Sequence, residues 1–177
     1  MTKRLRRLLV QESGYSLFEL LQVTVILAVV MGALTTVFVR AMNSELDMNQ
    51  RFQAQQEARL AVDKMRREIH CATAVTPAGT SSSITITLPA QCPTSGGSQI
   101  TVVYDTQLVS TGRYRLRRAG VRIADYITSP NAFTYTAPAI GTLGKLHLDL
   151  PVNVRVNQAR ETWKLTADIV LRNTTRL

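Results

Sequence analysis

A run of 20 residues without a charge, residues 20–39, constrains this 177-residue chain more than any other feature. At about 1.5 Å per residue, a helix of that length reaches roughly 30 Å, the thickness of the hydrocarbon core of a bilayer. A secretory signal peptide is one alternative, but its apolar core spans roughly 7–15 residues and ends at a small-residue cleavage site. A buried helix of a soluble protein is the other alternative. We expect a membrane-spanning helix, because the run is long and continues into polar helical sequence.

The positive charge of the chain is concentrated before this run. The formal net charge is +9, and the first seven residues contain four basic side chains: Lys3, Arg4, Arg6 and Arg7. With Glu12, residues 1–14 carry +3 and the remainder carries +6. Basic residues before a membrane span favour retention of that end in the cytoplasm. The sequence thus predicts a single-pass protein of the cytoplasmic (inner) membrane, with its N-terminus inside and its C-terminal domain outside.

Glu19 is an ionisable residue at the start of the apolar segment, immediately before Leu20 and Leu21. A charged side chain within a membrane costs a few kcal/mol, so such a residue is a functional candidate and needs a cationic partner. The nearest cation would be a free amino terminus, if the chain were cut just upstream.

The residues around Glu19 resemble the processing site of type IV prepilins and type II secretion pseudopilins. The shared pattern is a short basic leader that ends in Gly14, an aromatic residue (Tyr15), three further residues, Glu19 and an apolar helix. The resemblance implies that a prepilin peptidase cuts between Gly14 and Tyr15, that Tyr15 is N-methylated, and that Glu19 pairs with the terminal amine of a neighbouring subunit. Such a pair has a physical basis, because a buried carboxylate and a buried ammonium are each costly alone but neutralise each other in contact.

Residues 40–71 are polar, contain no Gly or Pro, and keep a helical pattern. Within them Ala58, Val62, Met65 and Ile69 recur every three or four positions, which is the period of one helix face. A globular domain should pack on this stripe, and we expect Met65 and Met48 to be packing residues.

After Cys71 the apolar residues alternate with polar ones, which is the period of a strand with one buried face. The alternation predicts strands around residues 84–88, 100–104, 113–118, 121–127, 133–135, 146–156 and 163–171. Ala119 and Gly120 should form a hairpin turn, and Pro151 should leave an open ladder position or a bulge in its strand. We expect a mainly antiparallel sheet with one face on the helix and the other in solvent.

The expected fold class is α+β, and the resemblance implies the ladle architecture of pilins, in which one long N-terminal helix packs on an antiparallel β-sheet domain. The chain would then divide into a cleaved leader (residues 1–14), a transmembrane or filament-core half of the helix (15–39), an amphipathic half (40–71) and an extracytoplasmic sheet domain (72–177).

Cys71 and Cys92 are expected to form a disulfide, because their domain is predicted to lie outside the cytoplasm, where such bonds persist. Closing a loop of about 20 residues would stabilise the domain by roughly 3 kcal/mol. Two free thiols are one alternative. A zinc site that adds His70 and His147 is another, although adjacent His and Cys residues lack the usual ligand spacing. No catalytic set of Ser, His and Asp or of Cys and His can be nominated, so we expect neither an enzyme nor a cofactor.

Five arginines lie within ten residues of the hairpin: Arg113, Arg115, Arg117, Arg118 and Arg122. Strand alternation places the first three on one face. A solvated edge strand that is kept soluble by its charge is one interpretation. The cluster would also suit contact with another subunit, with anionic lipid headgroups or with DNA phosphates.

From the resemblance we expect a structural minor pilin or pseudopilin, similar to J-type minor pseudopilins, that acts in the initiation or at the tip of a type IV pilus or secretion pseudopilus. Its expected partners are other pilin subunits, the prepilin peptidase, the pilus assembly platform and, before assembly, membrane lipid. One alternative is a competence pilin that binds DNA through the arginine hairpin. The other is a single-span membrane-anchored binding domain unrelated to filaments.

Overall fold

One helix, α1 (Leu17–Cys71), precedes all the strands that the structure describes. This computed structural model describes residues 16–156, 158 and 161–172. The helix begins where the Ser16 side chain accepts a hydrogen bond from the Glu19 amide at 3.3 Å. The helix contains no proline, and its single glycine, Gly32, costs only about 1 kcal/mol relative to Ala, so the helix is uninterrupted. The expected helical pattern over residues 40–71 is confirmed.

Nine strands follow α1 within the described residues, and all of their pairings are antiparallel. They are β1 (Ala74–Thr76), β2 (Gly79–Ser81), β3 (Ser83–Leu88), β4 (Ile100–Ser110), β5 (Arg113–Arg118), β6 (Val121–Ile127), β7 (Phe133–Thr136), β8 (Lys145–Val152) and β9 (Trp163–Val170). The strand order is β1-β3-β4-β5-β6-β8-β7-β2, and β9 pairs with β8. The fold class is therefore α+β, as expected.

The sheet is curled, because its two ends are joined by a very short connection. Strands β1 and β2 are the two ends of the pairing order, yet only Pro77 and Ala78 separate them. Consecutive Cα atoms are about 3.8 Å apart, so this connection forces the ends together. Strand β2 continues into β3 through Ser82, whose carbonyl accepts a hydrogen bond from the Thr106 amide at 2.9 Å.

The β5–β6 hairpin has the turn that its sequence predicts. Ala119 and Gly120 both have positive φ angles, 47° and 80°. Two positive φ values in a two-residue loop match the right-handed twist of the flanking strands. Glycine adopts this region freely, whereas Ala119 is strained there.

Strand β8 follows the expected alternation, but it ends before the pattern does. Its residues Leu146, Leu148, Leu150 and Val152 are buried, whereas Asn153 leaves the strand and accepts a hydrogen bond from the Arg155 amide at 2.8 Å. On one side of β8, Pro151 lies in the gap between the residues that pair with β7 and the residue that pairs with β6. The expected opening at Pro151 is therefore present on that side only, because on the other side Pro151 pairs with Lys164 of β9. The Pro151 carbonyl accepts a hydrogen bond from the Thr128 amide at 2.9 Å.

The chain divides into two units, one ending at Asp47 and the other spanning Met48–Leu177. In the second unit, one face of α1 packs against the sheet through a stripe of mostly small and apolar residues: Ala54, Ala58, Ala61, Val62, Met65 and Ile69. The packing expected of Met65 is confirmed, because its side chain is fully buried. The packing expected of Met48 is wrong for this chain alone, because Met48 is 67% exposed.

We expect Met65→Ala to lower the free energy of unfolding of the sheet domain by about 2–5 kcal/mol, because it opens a cavity between helix and sheet. Leu60→Ala is the matched control, since Leu60 lies on the same helix but is 68% exposed. It should change stability by less than about 0.5 kcal/mol. Denaturant unfolding of the full chain in detergent, followed by fluorescence of the single tryptophan, Trp163, measures both. Equal effects of the two substitutions would contradict the packing described.

Candidate functional site

Ser16 lies immediately before α1 and Glu19 lies in its first turn. They are the residues of the expected processing site that carry polar side chains in the described part of the chain. Gly14 and Tyr15 lie outside the described residues. Ser16 accepts hydrogen bonds from the Glu19 amide through its hydroxyl at 3.3 Å and through its carbonyl at 2.9 Å. The sequence Ser16-Leu17-Phe18-Glu19 is a capping-box pattern, which marks the start of a helix. We did not predict this local role of Ser16, although the pattern is readable from the sequence.

Glu19 therefore lies at a place that favours a negative charge. The helix dipole places partial positive charge at the first turn, and an acidic side chain there is stabilising. This local effect gives Glu19 a second explanation beside the expected pairing with a neighbouring subunit. Any test of its function has to separate the two.

The part of the chain that the structure describes leaves the apolar half of α1 uncovered. Every large apolar side chain from Leu17 to Val39 is at least 48% exposed. The helix is long and apolar enough to cross a membrane, by length and composition. Apolar surface of this extent needs lipid or another protein chain to cover it.

The three threonine hydroxyls of this half are satisfied within the helix. The hydroxyls of Thr24, Thr35 and Thr36 donate to backbone carbonyls three or four residues earlier, at 2.9, 2.7 and 2.7 Å. Such bonds are what a hydroxyl needs where water is absent. These three threonines therefore do not oppose a lipid or protein surrounding.

The arginine hairpin lies in the middle of the sheet. Strand β5, which carries Arg113, Arg115, Arg117 and Arg118, pairs with β4 on one side and β6 on the other. The interpretation of β5 as a solvated edge strand is therefore wrong. Alternation shows which residues share a face, but it does not show where a strand stands in the sheet.

The buried carboxylate of Asp125 forms ion pairs with three of the arginines. It is 1% exposed and accepts hydrogen bonds from Arg113 at 2.9 and 3.0 Å and from Arg115 at 3.0 Å, and Arg122 lies 3.5 Å away. The register shifts between β5 and β6 near this point, so that the adjacent Ala124 and Asp125 are both buried. Arg113 also stacks over the ring of Tyr126 at 4.0 Å from its centroid.

These contacts decide the protonation of Asp125. Burial alone would raise the pKa of its carboxyl, but hydrogen bonds from Arg113, the Tyr126 amide and Arg115 together hold that pKa below its ordinary value. The same hydrogen bond raises the pKa of Arg113. Asp125 is thus ionised in the folded protein and serves as a counter-ion for the cluster.

The remaining arginines of the hairpin are also partnered. Arg117 pairs with Asp105 on β4, and Arg122 also approaches Glu57 of α1 at 3.7 Å. Arg118 reaches the opposite face of the sheet, where its guanidinium bonds Glu68 of α1 at 2.8–3.1 Å.

Glu68 is fully buried and also accepts a hydrogen bond from the Tyr104 hydroxyl at 2.6 Å. Burial first, and then the hydrogen bond to Glu68, raise the pKa of Tyr104 well above its ordinary range. The hydrogen bond to Glu68 likewise raises the pKa of Arg118. Glu68, Tyr104 and Arg118 therefore form a buried polar triad between helix and sheet.

Sequence reasoning missed the four acidic partners: Glu57, Glu68, Asp105 and Asp125. The signal for Glu68 was its position, three residues after Met65 and next to Ile69 on the apolar stripe. The signal for Asp125 was a carboxylate in a strand of apolar neighbours. Five arginines facing four carboxylates present little free positive charge, which weakens the alternative of DNA binding through this hairpin.

Cys71 and Cys92 form the expected disulfide, with Cα atoms 5.8 Å apart, and it ties the end of α1 to the segment after β3. The two histidines are engaged separately. His70 Nδ1 lies 2.9 Å from the Val170 carbonyl, and His147 Nδ1 lies 2.6 Å from Asp168. Among the described residues there is no group of three metal-ligating side chains, so the zinc alternative is not supported.

Comparison of the chain with models of protein families, with curated proteins and with solved structures gives no match.

We expect Asp125→Asn to destabilise the domain at neutral pH and to flatten its acid denaturation. A carboxyl whose folded pKa is lowered stabilises the fold above its ordinary pKa of about 3.9, and this contribution is lost as the pH falls toward the folded pKa. The measurement is the unfolding free energy from Trp163 fluorescence over about pH 2 to 7.

The control for this prediction is Asp168→Asn. Hydrogen bonds from His147 and Lys145 lower the pKa of Asp168 too, but its side chain is 52% exposed. Exposed ion pairs contribute little because water screens them, so this variant should resemble the parent. The explanation fails if the two variants show the same acid dependence.

Proposed function

We propose that this chain is a structural subunit of a type IV pilus or secretion pseudopilus, cleaved and N-methylated before assembly, and acting as a minor subunit at the start or tip of the filament. The observation that carries the proposal is the start of α1. The acidic residue of the sequence that resembles a prepilin processing site lies in the first turn of α1, and a 20-residue apolar segment with exposed side chains follows it.

An exposed apolar helix surface is expected of a subunit that moves from the membrane into a filament. In the membrane, lipid would cover residues 17–39, and in a filament the same residues of neighbouring subunits would replace the lipid. The carboxylate of Glu19 is then the one charge that must be neutralised on transfer, and a free amine on Tyr15 of a neighbour would neutralise it.

The packing of the second unit is compatible with the ladle architecture. Residues 54–69 of α1 bury their small and apolar face on a curled sheet, which a solvated anchor helix would not do. The disulfide suits a domain that lies outside the cytoplasm. Both features also fit a membrane-anchored binding domain. A test of N-terminal processing is therefore needed to distinguish that domain from a pilin subunit.

We expect the mature protein from the native cell to begin at Tyr15 with a methylated amine. Mass spectrometry of the intact protein and of its N-terminal peptide measures this. Gly14→Ala, which alters only the residue before the expected cut, is the matched variant and should retain residues 1–14. A mature protein that begins at Met1 or Thr2 would refute the pilin assignment and leave the membrane-anchored domain.

Substitutions at Glu19 and Ser16 separate the assembly charge from the helix cap. Glu19→Gln removes the charge but keeps a residue that suits the capping box, so it should insert in the membrane and fail to enter filaments. Glu19→Asp retains the charge and should be less impaired. Ser16→Ala costs the helix start about 0.5–2 kcal/mol and should still assemble. The readout is the ratio of filament to membrane protein after shearing.

Two results would contradict the role of Glu19. If Glu19→Gln enters filaments as well as the parent does, no charge at this position is needed. If Ser16→Ala is impaired as much as Glu19→Gln, Glu19 acts through the helix start and not through a partner.

A further inference from the structure

A groove lies beside the disulfide, between the last turns of α1 and the segment after β3. It encloses about 590 Å³, within the range of pockets that hold small ligands or a few side chains. Its walls are formed by Lys64, Arg67, His70, Cys92, Pro93 and Thr94, here called the basic groove. Cys92 is buried and bonded to Cys71, so one wall is held to the helix covalently.

The basic groove contains basic side chains that have no carboxylate partner among the described residues. Neither Lys64 nor Arg67 has an ion pair within the described residues, whereas every arginine of the hairpin has one. Arg66, between them in sequence, pairs with Asp63 at 3.1 Å. His70 uses Nδ1 on the Val170 carbonyl, which leaves its other ring nitrogen unused within the described residues. This end of α1 therefore carries positive charge without a carboxylate partner among the described residues, whereas each hairpin arginine has one.

The groove combines these cations with the apolar surface of Cys92 and Pro93. A fitting occupant therefore has a carboxylate next to apolar side chains. The same chain offers such a segment on the first unit. Glu45 and Leu46 lie three and four residues after Met42, so each of them is a neighbour of Met42 on the surface of α1. Met42 and Leu46 are 63% and 60% exposed. Glu45 has no ion pair within the described residues, and no basic residue occurs between Arg40 and Arg51.

We propose that the basic groove of one copy binds the Met42, Glu45 and Leu46 face of a second copy, with Glu45 against Lys64 and Arg67 and the two apolar side chains against Pro93. The contact is heterologous, because the two surfaces differ. Contacts of this kind extend into open assemblies unless a rotation closes them into a ring. The inference rests on the proposed function for its biological setting, but the contact itself is independent of processing at Gly14.

Site-specific photo-crosslinking on the full chain in detergent tests the contact. A photoreactive amino acid at Leu46 should crosslink to residues 92–94 of a second copy, and one at Thr94 should crosslink to residues 42–46. The same group at Leu60, which is 68% exposed on α1, is the matched control and should not reach the groove. Peptide mapping by mass spectrometry identifies the joined residues.

Charge exchange tests the chemistry of the contact. The pair of substitutions Lys64→Glu and Arg67→Glu should lower the crosslinking yield about tenfold, as the loss of one close charge pair between proteins does. Glu45→Lys in the other copy should restore the yield. Arg66→Glu is the control, since Arg66 is adjacent but does not line the groove, and it should leave the yield unchanged. Trp163 fluorescence of each variant shows that the domain is folded.

Several outcomes would overturn the proposal. One is equal crosslinking from Leu46 and Leu60, and another is an effect of Arg66→Glu as large as that of the Lys64→Glu and Arg67→Glu pair. Capture of lipid, nucleic acid or a different protein by the photoreactive group at Thr94 would assign the groove to another partner. If crosslinking fails while the mature chain begins at Tyr15, only the groove contact is refuted. If crosslinking succeeds while residues 1–14 are retained, the contact stands and the pilin assignment fails.

Discussion

The buried contact of Glu68 with Arg118 and Tyr104 fixes how the helix lies on the sheet. Glu68 is fully buried on the face of α1 that also buries Met65 and Ile69. A carboxylate there is tolerable only while Arg118 and Tyr104 bond it, because an unpaired buried charge costs several kcal/mol. Sliding or turning the helix would break these bonds even if apolar contacts reformed. Burial of the apolar stripe stabilises the contact between helix and sheet. The triad allows only one position of the helix along the sheet.

Neutralisation within the chain is the second organising feature. The hairpin arginines surround Asp125 and reach Asp105, Glu57 and Glu68, so a strand that looks strongly basic in sequence is nearly neutral in the fold. The density of arginines in the hairpin sequence therefore does not identify the basic surface of the folded domain. Lys64 and Arg67 are among the cations that have no ion pair within the described residues, and the sequence presents them as ordinary solvated residues of a polar helix.

Much of the fold was predictable because it depends on local periodicity. The helix, the strands around Ile84, Tyr114 and Leu148, and the turn at Ala119 and Gly120 all follow from patterns within ten residues or so. The disulfide was predictable from the expected compartment. What escaped prediction depends on sheet order and on distant partners: the central position of β5, the burial of Asp125, and the end of β8 at Val152, where Asn153 leaves the strand although Val154 and Val156 continue the alternation. Strands β1 and β2, of three residues each, are too short for alternation to show.

The short strands at the ends of the curled sheet limit how copies of the domain can associate. An exposed, long strand edge is a template on which another chain adds a strand. Here the pairing order ends in β1 and β2, each with only three residues, which present too few unpaired backbone groups for stable strand addition. Strand β9 lies off this order, pairs with β8 along all eight of its residues and has no second strand beside it among the described residues. The long edge that the sheet leaves to a further strand is therefore that of β9, and strand addition at β1 or β2 is disfavoured.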